Sequence, residues 1–156
     1  QDFYKGKVRE EDFAAALPRC SMPVCYNGDL ITERDVSAVS ERYPDLPAVM
    51  IGRALIADPS LVARMTGGKA ADAKTLETFH DTLFMRYCEA FGDSRIAMLR
   101  MKEIWFYHLN LFENSEKPGK AIKKAKNAAE FQSAAAAVFR NCRVRANAVP
   151  LWFKPA

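Results

Sequence analysis

The sequence predicts an α/β segment that gives way to an all-α one, and three observations carry that reading. Two short apolar runs, Met22-Pro23-Val24-Cys25-Tyr26 and Val49-Met50-Ile51, each close on a glycine beside polar or charged residues, Asn27-Gly28-Asp29 and Gly52-Arg53. One polar helical stretch separates them, and strands joined by a single helix lie adjacent and parallel. Beyond Gly67-Gly68 the apolar residues recur only at three- and four-residue spacing, the period of a helix. Glycine just past a strand's C-terminal end lets backbone N–H groups approach an anion, and the helix that follows turns its positive dipole end to the same point. Two such loops side by side describe one phosphate site built by both.

In chain order, Gln1 to Gly6 reads as a polar and aromatic loop. Arg9 to Leu17 reads as a short helix with Phe13 and Leu17 at i, i+4, stopped by Pro18. Met22 to Tyr26 is the first strand, and its apolar run without alternation predicts burial on both faces. Thr32 is an N-cap with Asp35 at N3, a capping-box pattern. That helix ends near Tyr43, because Pro44 disfavours helix at the residue before it. Ala48 to Ile51 is the second strand, and Ala54–Ala57 a short turn. Asp58-Pro59 reads as N-cap and N1 of a helix that ends at Gly67-Gly68. The small residues from Thr66 to Ala71 mark the domain boundary, dividing 1–68 from a helical 69–142.

The helical part opens with a stripe of Leu76, Phe79, Leu83, Tyr87 and Phe91, ended by Gly92. Asp93-Ser94 caps the next helix, whose stripe is Met98, Met101, Trp105, Leu109 and Phe112. These aromatics read as core rather than as a base-stacking platform. Asn114 to Gly119 is expected to be a turn, followed by helices over about Lys120–Asn127 and Ala128–Asn141. Four helices make a bundle. Residues 143–156 form a tail whose Leu151-Trp152-Phe153 is expected to pack back on the body.

The chain has 156 residues, 49% hydrophobic and 27% charged, which suits a globular core. No apolar run approaches the roughly 20 residues that span a bilayer. The opening Gln1-Asp2-Phe3-Tyr4-Lys5 has neither an initiator Met nor a signal-peptide pattern, so a processed or truncated cytoplasmic chain is expected. Cys20, Cys25, Cys88 and Cys142 lack CxxC spacing and read as reduced, mostly buried thiols. His80 and His108 lie far apart with no ligand pattern near either, so no metal site is assigned. Charge is uneven. Residues 1–93 hold 11 Lys/Arg against 15 Asp/Glu, whereas residues 94–145 hold 11 against 4. On charge alone, an anionic partner for the second half and a merely solvated helix face stand about even.

Pro23-Val24 leading into Asn27-Gly28-Asp29, followed by Met50-Ile51-Gly52-Arg53 and Pro59, resembles the end of a flavin-binding barrel. More narrowly, it is similar to the tRNA-dihydrouridine synthases, whose last two barrel strands end in Asn-Gly-Asp and Met-Ile-Gly-Arg. The similarity runs from about Gln1 to Arg140 and includes Tyr4-Lys5-Gly6, placed as in the family after strand six. One departure is Asp45-Leu46-Pro47-Ala48-Val49, where the family usually has Gly-Ala-Asp-Gly-Val. The resemblance implies the C-terminal βα units of an FMN-binding TIM barrel followed by a helical tRNA-binding domain. It implies an FMN-dependent reduction of tRNA uridine to dihydrouridine with NADPH as reductant.

Residue by residue, it implies that Asn27, Gly28 and Asp29 form one wall of the FMN phosphate site and Gly52 with Arg53 the other. Asp29 is an odd neighbour for a phosphate by charge, so it is expected to offer its backbone N–H or cap a helix. Arg100 and Lys102 resemble the family's basic–aromatic helix, and Lys120, Lys123 and Lys124 share a face by i, i+3, i+4 spacing. Such lysines suit phosphate contacts that read no base code. The family's catalytic cysteine and its flavin-contacting lysine and histidine come from earlier strands, so no catalytic residue is assigned here. A (β/α)₈ barrel takes eight strands in roughly 250 residues, so the chain reads as the C-terminal part of a longer enzyme. The alternatives are a non-catalytic helical RNA-binding module and another FMN-barrel oxidoreductase acting on a small molecule.

Overall fold

A computed structural model describes residues 8–149. Among them eight α-helices accompany one two-stranded parallel sheet. Helix α1, Glu10–Ala16, carries Glu10, Glu11 and Asp12 in its first turn, where carboxylates complement the helix dipole. The chain continues through Pro18 as a 3₁₀ turn, Leu17–Arg19, instead of stopping there. Strand β1, Cys25–Tyr26, pairs with β2, Ala48–Val49, in the register Cys25↔Ala48 and Tyr26↔Val49. One further bond, Met50 N–H to the Tyr26 carbonyl at 2.8 Å, carries the pairing past β2.

The strands are therefore shorter than Met22–Tyr26 and Ala48–Ile51, and β1 is not buried on both faces. Met22 is 71% exposed and Cys25 is exposed, because no described element covers the sheet's outer side. Cys20 is exposed too, and of the four free thiols only Cys142 is buried, which corrects the expectation of mostly buried cysteines. Between the strands runs α2, Glu33–Arg42. Its capping box is complete, with Asp35 N–H donating to Thr32 Oγ1 and Thr32 N–H donating to Asp35 Oδ2 at 2.7 Å. Phe13 sets its ring edge against Tyr26 and Tyr43, closing a small core with Leu30, Val36 and Val39.

The expected turn at Ala54–Ala57 is a helix, α3, Arg53–Ala57, with Gly52 at its N-cap. Helix α4, Leu61–Met65, starts later than Asp58-Pro59. The Asp58 carboxylate accepts from Ser60 N–H at 2.9 Å and Ser60 Oγ at 2.7 Å, an Asx turn that holds the chain just ahead of the helix.

Helix α5, Ala73–Phe91, is capped by Asp72 and ends on Gly92 at φ 64°, a left-handed stop that suits glycine. Its buried line is Leu76, His80 and Phe84, one residue round from the expected stripe, so Phe79 and Phe91 are 41% and 42% exposed. Both lines fit a helical period, and only the tertiary contacts choose between them. Helix α6, Ser94–His108, capped by Asp93, buries Met98, Met101 and Trp105 and runs into a 3₁₀ turn, Leu109–Leu111.

Helix α7, Glu116–Lys124, replaces the expected Asn114–Gly119 turn. Pro118 falls in its first turn, where an N–H has no intrahelical partner to lose. Gly119 fits because a Cβ there would lie 2.8 Å from Leu109 Cδ1. Helix α8, Ala128–Asn141, has the expected bounds, with Asn127 accepting from Glu130 N–H.

Helices α5 to α8 share one apolar core in which Trp105 meets Phe112 and Phe139, and into which α3 inserts Ala57. The described start of the tail pairs Val144 with Phe112 as an antiparallel bridge, and Val149 N–H donates to the Asn110 carbonyl at 3.1 Å. Leu151-Trp152-Phe153 and Tyr4-Lys5-Gly6 lie outside the described residues.

Candidate functional site

The parallel register sets the ends of β1 and β2 side by side, so Asn27-Gly28-Asp29 and Gly52-Arg53 converge at one edge of the sheet. Asp29 takes φ 49°, a left-handed conformation that aspartate tolerates better than most residues. Its carboxylate accepts a short charge-assisted bond from Arg53 Nη2, with about a fifth of each side chain exposed. The Asp29 side chain thus holds Arg53 and caps no described helix, which removes one of the two roles expected for it.

The two glycines differ in kind. A Cβ at Gly28 would lie 2.5 Å from the Tyr26 hydroxyl, so Gly28 is needed for the loop to close on that ring. Burial first, and the Glu10 charge second, push the Tyr26 phenol pKa up. A Cβ at Gly52 would meet nothing within 4 Å, so the space over the start of α3 is open. An exposed Asn27, an open Gly52 backbone and the Arg53 guanidinium beside it are donors of the type a phosphate takes.

The basic candidates separate into two groups. Arg100 is exposed and donates to both Glu103 oxygens at 3.2 Å. Lys102, on the same helix, turns instead toward α7 and donates to the carbonyls of Lys123 at 3.2 Å and Ala125 at 2.5 Å. Lys120, Lys123 and Lys124 are exposed on α7.

Two buried polar features escape a reading of local pattern. Arg64 Nε donates to Glu33 at 2.5 Å, Nη1 to the Asp58 carboxylate and Nη2 to Asn147 at 2.9 Å. It ties α2, the Asx turn and the described tail into one node. Burial alone would lower the Arg64 pKa, but the bonds to Asp58 and Glu33 outweigh it and raise it. The Asp58-Pro59-Ser60 sequence signals the turn, yet nothing local signals partners so far away in the chain.

His108 is the second feature. Its Nδ1 lies 3.3 Å from the Ala57 carbonyl, joining α6 to α3, and burial drives its pKa down to about 4. His80, against Trp105, is lowered too by burial, with Asp81 at 3.0 Å opposing the shift.

Among the described residues no group of three or more His, Cys, Asp or Glu is placed to hold a metal. No described helix is long and apolar enough to cross a membrane. The dihydrouridine synthase (Dus) family model matches residues 4–148. No curated protein matches the chain.

Proposed function

The chain belongs to the dihydrouridine synthase family, and from that premise we propose that it is part of an FMN-dependent enzyme that reduces tRNA uridine to 5,6-dihydrouridine with NADPH. Members of this family are flavin-dependent oxidoreductases that act on tRNA. The observation that carries the finer reading is the convergence of the two glycine loops at one sheet edge, with Arg53 drawn across to Asp29.

FMN, when bound and reduced by NADPH, would supply the hydride for the 5,6 double bond of the uracil ring, the accompanying proton coming from an acid outside this sequence. This chain's residues bind the phosphate end of that cofactor. The backbones of Asn27, Gly28 and Asp29 form one wall, and Gly52 and Arg53 the other. The open space at the Gly52 Cβ position fits this use, since apart from its chain neighbours nothing comes within 4 Å of it. Asp29 orients the guanidinium, a charged group of the kind that pairs with phosphate oxygens.

Residues 1–68 then form the end of a TIM-barrel domain, whose other strands come from outside this sequence. Residues 69–142 form a helical bundle that binds tRNA, and 143–156 a tail. Arg100, Lys120, Lys123 and Lys124 supply outward positive charge, with Lys102 beside them. Arg-Lys contacts of this kind set affinity and register on folded RNA without reading bases. The setting proposed for it is cytoplasmic.

The test is to delete the gene that encodes this chain and measure dihydrouridine in bulk tRNA by mass spectrometry. Dihydrouridine should fall, return with the parental gene, and return only in part with Arg53→Ala. Unchanged dihydrouridine in the deletion overturns the activity and favours a non-catalytic RNA-binding module.

A further inference from the structure

Helix α7 ends without the glycine that commonly terminates a helix, since Ala125 follows Lys124 and takes φ −54° and ψ 133°. Ala125 N–H bonds to the Ala121 and Ile122 carbonyls, and because the helix stops at Lys124 no N–H four residues on serves the Lys123 carbonyl. The Lys102 ammonium fills that place. It reaches from α6 to the Lys123 carbonyl at 3.2 Å and to the Ala125 carbonyl at 2.5 Å, at the negative end of the α7 dipole. The same joint leads directly into α8, where Lys126 N–H donates to Glu130 at 2.8 Å.

Lys123 and Lys124 add like charge to the same helix end, while the negative end of the dipole and the open carbonyls favour a cation there. Its placement is explained by the carbonyls it satisfies. We propose that Lys102 is a positioning residue for the anion-binding face: by clamping the last turn of α7 onto α6 it holds Lys123 and Lys124 where RNA phosphates meet them. This role rests on the reading of that face as RNA-binding. Two of the three Lys102 donors are taken by the Lys123 and Ala125 carbonyls, so its role in this proposal is to hold the helix end and not to meet phosphate.

The experiment uses the full chain, tRNA as probe, and two independent readouts. Amide hydrogen exchange of Lys102→Met, without RNA, should lose protection in the last turn of α7, above all at Ala125. In salt titrations the same variant should weaken tRNA binding and lower the slope of log affinity against log salt by one to two units, at on the order of 0.9 unit per phosphate. Placed in a Lys123→Ser/Lys124→Ser background, Lys102→Met should change the slope no further. A further loss of about one unit there, the value of one phosphate contact, would show that Lys102 touches RNA directly and would overturn the proposal. Unaltered exchange would overturn it as well. A parental chain that binds no tRNA at low salt would remove the RNA reading, and this role with it, whatever the exchange shows. Lys102→Gln is one bond shorter and uncharged but keeps an N–H donor for the carbonyls, so it should fall between parent and Met in both readouts even if the Met variant folds poorly.

Discussion

Arg53 reaches across from the start of α3 to the carboxylate of Asp29, so the loops after β1 and β2 are joined by one ion pair at the sheet edge. In the FMN reading proposed above, the cofactor phosphate sits against this pair, and the two side chains pull in opposite directions on such a ligand. Arg53→Ala removes a charged donor, worth on the order of 1.5–3 kcal/mol, or about ten- to hundredfold in FMN affinity. Asp29→Asn keeps an acceptor for the guanidinium and removes a negative charge near the phosphate, so FMN should bind at least as well as in the parent. Flavin fluorescence titration of the enzyme with its barrel complete reads both. Equal losses in the two variants would count against the phosphate assignment.

Arg64→Ala is expected to be a stability mutation. The Asp58 side chain is 3% exposed and Arg64 11%, so truncating the arginine leaves a buried carboxylate with no described counter-charge and only its Ser60 bonds. Removing one partner of such a pair costs on the order of 3–5 kcal/mol. Thermal unfolding should show a loss of several degrees, and chemical denaturation a lower midpoint with unchanged slope. Arg34, exposed on α2, is the neutral comparison for Arg53, and its replacement by alanine should leave both flavin binding and unfolding near parental values.

What could be read from the sequence was whatever its neighbours in sequence determine. Thr32 and Asp35 cap α2 because both partners lie within one turn, and Gly92 stops α5 because the left-handed conformation it adopts costs glycine least. The glycines that end the two strands were legible for the same reason, whereas the meeting of their loops rests on the rule that strands joined by one helix lie parallel and adjacent. Long-range contacts hid the rest. Pro118 and Gly119 look like a turn until Leu109 packs against the helix they begin. Phe79 and Phe91 look buried until α6 and α8 choose the Leu76–His80–Phe84 line instead. The inward turn of Lys102 depends on where α7 ends, 21 and 23 residues further along the chain.

Acid should loosen the junction of α3 with the helical core. The folded His108 pKa, about 4, lies below its ordinary value of 6.5, because burial penalises the imidazolium. The unfolded chain therefore binds a proton at a higher pH than the folded one. Stability from the neutral ring is complete above about pH 6.5 and is lost as pH falls toward 4. At 1.36 kcal/mol per unit, the loss is on the order of 3 kcal/mol by pH 4. His80, shifted the same way by burial, adds to it. Urea unfolding from pH 7.5 to 4 should show this decline. In His108→Asn, which keeps a donor for the Ala57 carbonyl but cannot titrate, the decline should be shallower. A slope identical to the parent's would place the proton uptake elsewhere.

The basic face of α7 carries the last prediction. Lys120, Lys123 and Lys124 are exposed and follow one another at i, i+3, i+4, so they present charge to one side of the helix. If all three meet phosphates, replacing them together with serine should lower the salt slope of tRNA binding by about two to three units, using the duplex-DNA value of ~0.9 per phosphate. The loss should be uniform across tRNA sequences, because phosphate contacts read no bases. Folding should hardly change, since exposed lysines contribute little and no described acidic partner is lost. Arg100→Ala offers the contrast. Its guanidinium already pairs with Glu103, so its removal should shift the slope by less than one lysine does. Unaltered binding in the triple variant would leave α7 a solvated surface and move the search for the RNA contact to α6.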